Sequence, residues 1–177
     1  MSTAQATRLA DELAWASLPV PTGGSRLLVL FDAADNPKLY DGRDRVRRTV
    51  LAMTPDSLPA PRPPRLEDRR PGTGVFWGIA AQNGLTVAIR VGTGGSRISA
   101  YEDALRILDR LDEMTAHTVH DPATGRRSAW LALDGRVVLV AAQPWRRPDE
   151  SAGDRLLRTL RENAGRVAHN IRHLNAT

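Results

Sequence analysis

The side chains able to do chemistry in this sequence are few and scattered. His169 and His173 stand one helical turn apart and share a helix face. A metal site needs three or four converging ligands, and the neighbouring Arg166 and Arg172 oppose a cation, so this pair reads as a solvated polar face. His117 and His120 stand by themselves on a short strand. Asp109, Asp112 and Glu113 crowd one helix end and read as solubilising charge rather than an acid/base pair. There is no cysteine, which excludes disulfides, thiolate zinc sites and thiol catalysis. No G-x-S-x-G elbow is present to hold a serine nucleophile. The expectation is a protein with no catalytic residues, no metal and no cofactor, and not an enzyme.

One stretch could hold an anion. Thr93-Gly-Gly-Ser-Arg97, which repeats Thr22-Gly-Gly-Ser-Arg26, lies between a predicted strand and a predicted helix. Backbone amides at such a junction can cradle a phosphate or carboxylate, which makes Gly92, Gly94, Gly95, Ser96 and Arg97 the candidate loop. The lysine of a phosphate-binding G-x-x-x-x-G-K-[ST] is missing, as is G-x-G-x-x-G in a parallel setting. A connector is the favoured reading, because glycine so often punctuates loops.

The charge balance is less basic than it looks. The net charge is +5 although the pI is about 10.8, and Lys38 is the sole lysine. With little Lys or Tyr and no Cys to buffer the alkaline range, a small excess of arginine lifts the neutral point far. Arginine in place of lysine is also the composition that a GC-rich, actinobacterial-type genome produces. The surplus falls on the last helix, at Arg155, Arg158, Arg161, Arg166 and Arg172. A nucleic-acid-associated regulator using that helix is the alternative function. It is not favoured, because no helix-turn-helix and no set of stacking aromatics accompanies the arginines.

The elements that would position these residues can be read in order. Residues 3 to 16 predict an amphipathic helix through Leu9, Leu13 and Ala16, and Leu27 to Phe31 predicts a buried strand. After the turn at Asp35-Asn36-Pro37, Lys38 to Tyr40 is read as a short strand. Arg43 to Met53 suits either periodicity, and its β-branched Val46, Thr49 and Val50 favour a strand. Prolines from Pro55 to Pro71 make a loop or linker. Val75 to Gln82 and Leu85 to Val91 form a hairpin about Asn83-Gly84. Ser99 and Glu102 have the spacing of a capping box, opening a helix that buries Tyr101, Ala104, Leu105, Leu108, Leu111 and Met114.

A second sheet segment follows. It comprises a short strand from His117 to His120, a turn from Asp121 to Gly125, strands from Arg127 to Leu133 and from Arg136 to Ala142, and the tight turn Asp134-Gly135 between them. The last helix runs from Ser151 to Leu174 with an apolar seam at Leu157, Leu160, Ala164, Val167, Ile171 and Leu174. The sheet, another helix or a second subunit must cover that seam. The predicted fold is α+β, an antiparallel sheet of hairpins flanked by an N-terminal, a central and a long C-terminal helix. Residues 1–54 form an N-terminal helix and strands, 55–72 a linker, and 73–177 a ββαβββα unit that makes one domain with 1–54. No apolar run reaches membrane-spanning length and residues 1 to 20 lack the build of a signal peptide, so a cytoplasmic protein without a membrane partner is expected.

Residues 74 to 174 resemble the type III secretion chaperone (CesT-like) and YbjN-like superfamily. The resemblance is carried by Ala104-Leu-Arg-Ile-Leu-Asp-Arg-Leu111, by Ser128-Ala-Trp-Leu-Ala-Leu-Asp-Gly-Arg-Val-Val-Leu-Val140, and by a long helix after a polar spacer. It implies a small dimeric α+β protein that binds segments of other proteins and catalyses nothing. The same order of elements also suits a roadblock-type dimerisation domain. A protein or peptide partner and a homo-oligomer are therefore expected. The interaction residues would be Leu157, Leu160, Val167, Ile171 and Leu174 of the seam, Arg158 and Arg161 beside it, and Trp130 and Trp77 on the sheet.

Overall fold

A computed structural model of the chain describes residues 27–33, 37–57, 61–63, 74–81, 86–142 and 153–163. Seven strands make one antiparallel sheet: β1 (Leu27–Ala33), β2 (Thr54–Pro55), β3 (Val75–Ala81), β4 (Thr86–Arg90), β5 (Thr115–His120), β6 (Arg127–Leu133) and β7 (Arg136–Ala141). Their order across the sheet is β1-β3-β4-β7-β6-β5-β2. Among the described residues three helices cover it: α1 (Pro37–Leu51), α2 (Arg97–Asp109) and α3 over residues 153–163. The α+β class and the antiparallel sheet are as expected. The predicted helix over residues 3 to 16, the Asn83-Gly84 turn and Val167, Ile171 and Leu174 lie outside the described residues.

The sheet separates two cores. On one face Ile89, Val119, Trp130, Val137 and Val140 pack beneath Tyr40, Val50 and Leu51 of α1. On the other, Trp77, Ile79, Ala88, Leu131 and Leu139 meet Ala104 and Leu108 of α2 and Leu156, Leu157 and Leu160 of α3. Gly153 sets the start of α3 down against Ala116 and Ala129. Among the described residues no helix is long and apolar enough to cross a membrane.

α1 corrects the strand readings of Lys38 to Tyr40 and Arg43 to Met53. Its buried positions, Tyr40, Asp44, Arg47, Val50 and Leu51, recur every three or four residues, so burial follows the helical period and overrides the β-branched residues. Proline as the first residue suits a helix start, where its missing N–H costs nothing. At the other end Trp130 Nε1 donates to the Val50 carbonyl at 2.8 Å, satisfying one of the acceptors a helix end leaves over. With 15 residues α1 is about 22 Å long, enough to cross most of the sheet's width.

The hairpin β6–β7 turns at Asp134 (φ 51°) and Gly135 (φ 71°), the two positive values that a tight hairpin turn requires. The register slips by one residue between Leu131 and Ala132, leaving Val138 as the extra residue of β7. Its carbonyl then accepts from Val91 N–H at 3.0 Å, where β4 is ending. Within the proline-rich stretch, Arg62 forms a parallel bridge to Arg136 at the start of β7.

Candidate functional site

The glycine loop is built around its own helix. Ser96, not Ser99, is the N-cap of α2: Ser99 N–H donates to Ser96 Oγ at 3.2 Å and Ser96 N–H donates to Ser99 Oγ at 3.0 Å. The capping box is therefore Ser96 with Ser99, three residues before the predicted Ser99 with Glu102, and it starts the helix one turn earlier. Gly94 exchanges backbone hydrogen bonds with Val75, at 2.7 and 2.8 Å, which ties the loop to β3. A Cβ at Gly94 would lie 2.7 Å from Ser99 Oγ and 3.1 Å from Ala100 N, so this close approach needs glycine. Two of the candidate loop's amides, those of Gly94 and Ser96, are thus spent on the fold.

Behind that loop lies a polar node that the sequence did not single out. Asp103 of α2 accepts from Trp77 Nε1 at 2.8 Å, from Arg90 Nε at 2.7 Å and Nη2 at 3.2 Å, and from Arg106 Nη2 at 2.6 Å. Arg90 also donates through Nη1 to the Val138 carbonyl at 2.9 Å. One carboxylate so joins α2 to β3, β4 and the bulge of β7. Burial opposes its ionisation, but the hydrogen bonds and charge of Arg90, helped by Trp77 and Arg106, outweigh that and hold the Asp103 carboxyl below the usual aspartate range. On the opposite face Arg47, buried and paired with Asp44, donates to the Val91 carbonyl at 2.6 Å. The end of β4 is therefore fastened on both sides of the sheet, by its own Arg90 to α2 on one and by Arg47 of α1 on the other. The one available signal was Asp103 itself, a charge set between Ala100 and Ala104 on the helix's apolar side.

Of the six described residues expected to make contacts with partners, four are buried inside the chain. Leu157 and Leu160, 5% and 1% exposed, are covered by the sheet, one of the three covers expected for the seam. Trp77 and Trp130 are likewise buried, and their indole N–H groups serve Asp103 and Val50. Arg161 turns toward the short 3₁₀ turn Leu111–Glu113, donating to the carbonyls of Leu111, Asp112 and Met114 at 3.2, 3.1 and 3.3 Å. It closes the end of that turn instead of reaching outward. Arg158 remains exposed. On β5, His120 Nδ1 lies 2.6 Å from Asp56 Oδ1, beside β2, and His117 Nε2 is 3.2 Å from Thr115 Oγ1. Among the described residues no three His, Asp or Glu side chains gather to hold a metal.

Protein-family models, curated proteins and solved structures give no match to this chain. Its own geometry is what a functional reading has to rest on. Among the described residues Asp103, Arg90, Arg47, Trp77, Trp130 and Arg161 fasten helices and loops to the sheet. The backbone at the sheet's margins is not so engaged. Asp56 N–H donates to the Thr118 carbonyl at 2.9 Å and Thr54 pairs with His120, so Thr118 and His120 face β2. By the alternation of a strand, Ala116 faces the same way, beyond the end of the two-residue β2. Its N–H and C=O meet no strand among the described residues.

Proposed function

We propose that the chain is a non-catalytic protein-interaction domain, a chaperone-like or assembly module that binds a segment of another protein and works as a homodimer. The observation that carries this reading is the backbone margin of the sheet, where β5 runs past β2 with outward hydrogen-bonding groups at Ala116. An extended peptide can add there as a further strand, with main-chain bonds supplying affinity. The resemblance to secretion chaperones and YbjN-like proteins points the same way, as an analogy of elements.

The test has two parts. Light scattering over a range of concentrations should give a dimer. Peptides selected from a random display library should shift the amide resonances of Thr115 to His117 more than those of β7 in the sheet's centre. A monomer at every concentration, together with selected peptides that leave these resonances unmoved, would end this reading. Random duplex DNA that binds at low salt and releases steeply as salt rises would point instead to the arginine-bearing last helix.

A further inference from the structure

At its other side the sheet ends in β1, seven residues with no strand on their outer flank among the described residues. The direction of its hydrogen-bonding groups follows from its neighbour. Val75 exchanges bonds with Gly94 on the β4 side of β3, so the alternate residues Phe76, Gly78 and Ala80 face β1. Their partners in β1 are Asp32, Leu30 and Leu28. Leu27, Val29, Phe31 and Ala33 therefore direct their N–H and C=O groups away from the sheet.

Edges of this length are normally blunted by proline, by lysine, by brevity or by a bulge. The opposite edge strand has such devices: β2 is two residues long and ends in Pro55, with His120 and Asp56 in contact beside it, which among the described residues leaves only Ala116 of β5, beyond it, open to a strand. The β1 sequence, Leu-Leu-Val-Leu-Phe-Asp-Ala, has neither proline nor lysine, and it pairs with β3 residue for residue without a bulge. The one large apolar side chain left exposed among the described residues, Ile98 at 71%, belongs to α2, a helix that packs on β3 and β1.

We propose that two copies of this chain join along β1, antiparallel about a two-fold axis at Leu30, so that their sheets become one. This inference rests on the homodimer reading above and names its interface. A second copy fits because the edge complements itself. Centred on Leu30, the pairing sets Leu27 opposite Ala33 of the partner subunit and Val29 opposite Phe31 of the partner subunit, and every outward residue of β1 finds an outward residue. The strand's single charge, Asp32, falls opposite Leu28 of the partner subunit and not opposite a second carboxylate. Sliding the pair by two residues in either direction leaves outward groups unpaired at both ends.

Two variants of the full chain test this. The Val29 N–H points outward, so Val29→Pro removes no bond to β3 yet blocks the added strand. The dimer dissociation constant, measured by sedimentation, should rise at least tenfold while the circular dichroism spectrum is unchanged. Leu30 lies at the axis, where facing Cα atoms of a non-hydrogen-bonded pair approach to about 4.5 Å, within disulfide reach. Because the chain has no cysteine of its own, Leu30→Cys should oxidise to a covalent dimer, and Asp32→Cys, displaced from its own copy, should do so at least tenfold more slowly. A wild-type dimer that survives Val29→Pro, with no Leu30→Cys cross-link, overturns the β1 interface and leaves the homodimer reading standing. Should Val29→Pro fail to fold, the cross-link alone decides. A wild-type monomer overturns both; strong protection of the Val29 amide from exchange in that monomer would assign the edge to another segment of the same chain.

Discussion

Asp103→Ala removes the acceptor on which three elements converge. The Asp103 and Arg90 side chains are only 19% and 14% exposed, so their pairing at 2.7 Å is largely shielded from water. Breaking such a pair by deleting one partner leaves a buried charge uncompensated and costs about 3–5 kcal/mol. The Trp77 indole N–H, in a residue 1% exposed, also loses its acceptor, at about 1–3 kcal/mol if nothing replaces it. These penalties overlap because Arg90 keeps its bond to the Val138 carbonyl, and Arg106, 67% exposed, adds little. A net loss of about 3–5 kcal/mol is expected, a large part of the roughly 5–15 kcal/mol that holds a domain together. Asp103→Asn keeps one acceptor oxygen and should lose less, about 1–3 kcal/mol.

The assay is urea unfolding followed by circular dichroism and by tryptophan fluorescence, for wild type and both variants across pH. The native carboxyl is held below its ordinary range, so its contribution is complete above the unfolded value near about 3.9 and is lost as pH falls through the lower native value. The gap between wild type and Asp103→Ala should therefore be flat from about pH 5 to 8 and narrow on further acidification. A loss below about 1 kcal/mol at neutral pH, or a gap that is the same at about pH 3 as at about pH 7, would refute the assignment of this node.

Two further outcomes separate fastening from function. Gly94→Ala should cost about 1–3 kcal/mol, since the added Cβ meets backbone as well as the Ser99 hydroxyl, whereas Gly95→Ala, with nothing within 4 Å, should stay within about 0.5 kcal/mol of wild type; thermal unfolding of the pair checks this. Arg161→Met should cost about 1–2 kcal/mol through the three carbonyls it leaves, and should speed amide exchange in residues 111–114 more than in β6 or β7.

Much of the sheet was legible because local signals and burial agree there. Arg127 to Leu133 and Arg136 onward are apolar runs of strand length about a dipeptide that tolerates positive φ, and these two strands lie within a residue of their predicted bounds. α1 was misread because Val46, Thr49 and Val50 carry a strand preference, while the decisive helical signal was in polar residues: Asp44 and Arg47 are buried and bonded. The cap was displaced because Ser99 and Glu102 match the usual pair, and a serine can replace the glutamate at the third position when the loop brings its hydroxyl back to Ser96. The seam of α3 was readable as a seam, but spacing alone cannot name what covers it. The Asp103 node was not readable, because Trp77, Arg90 and Asp103 meet only once the hairpin has folded over the helix.

β1 and β2, joined by α1 and close in sequence, lie at opposite limits of the sheet. During synthesis the first of them gains a partner only when β3, at residues 75–81, has left the ribosome, and the second only when β5, at residues 115–120, has followed. α1 packs on β1 but also over residues of β4, β6 and β7, so most of its seat is made after it. Of the two strands, β2 waits the longer, for a partner some sixty residues further along the chain. Such late, long-range closure makes for slow folding and for a nascent chain in need of protection while it is being made.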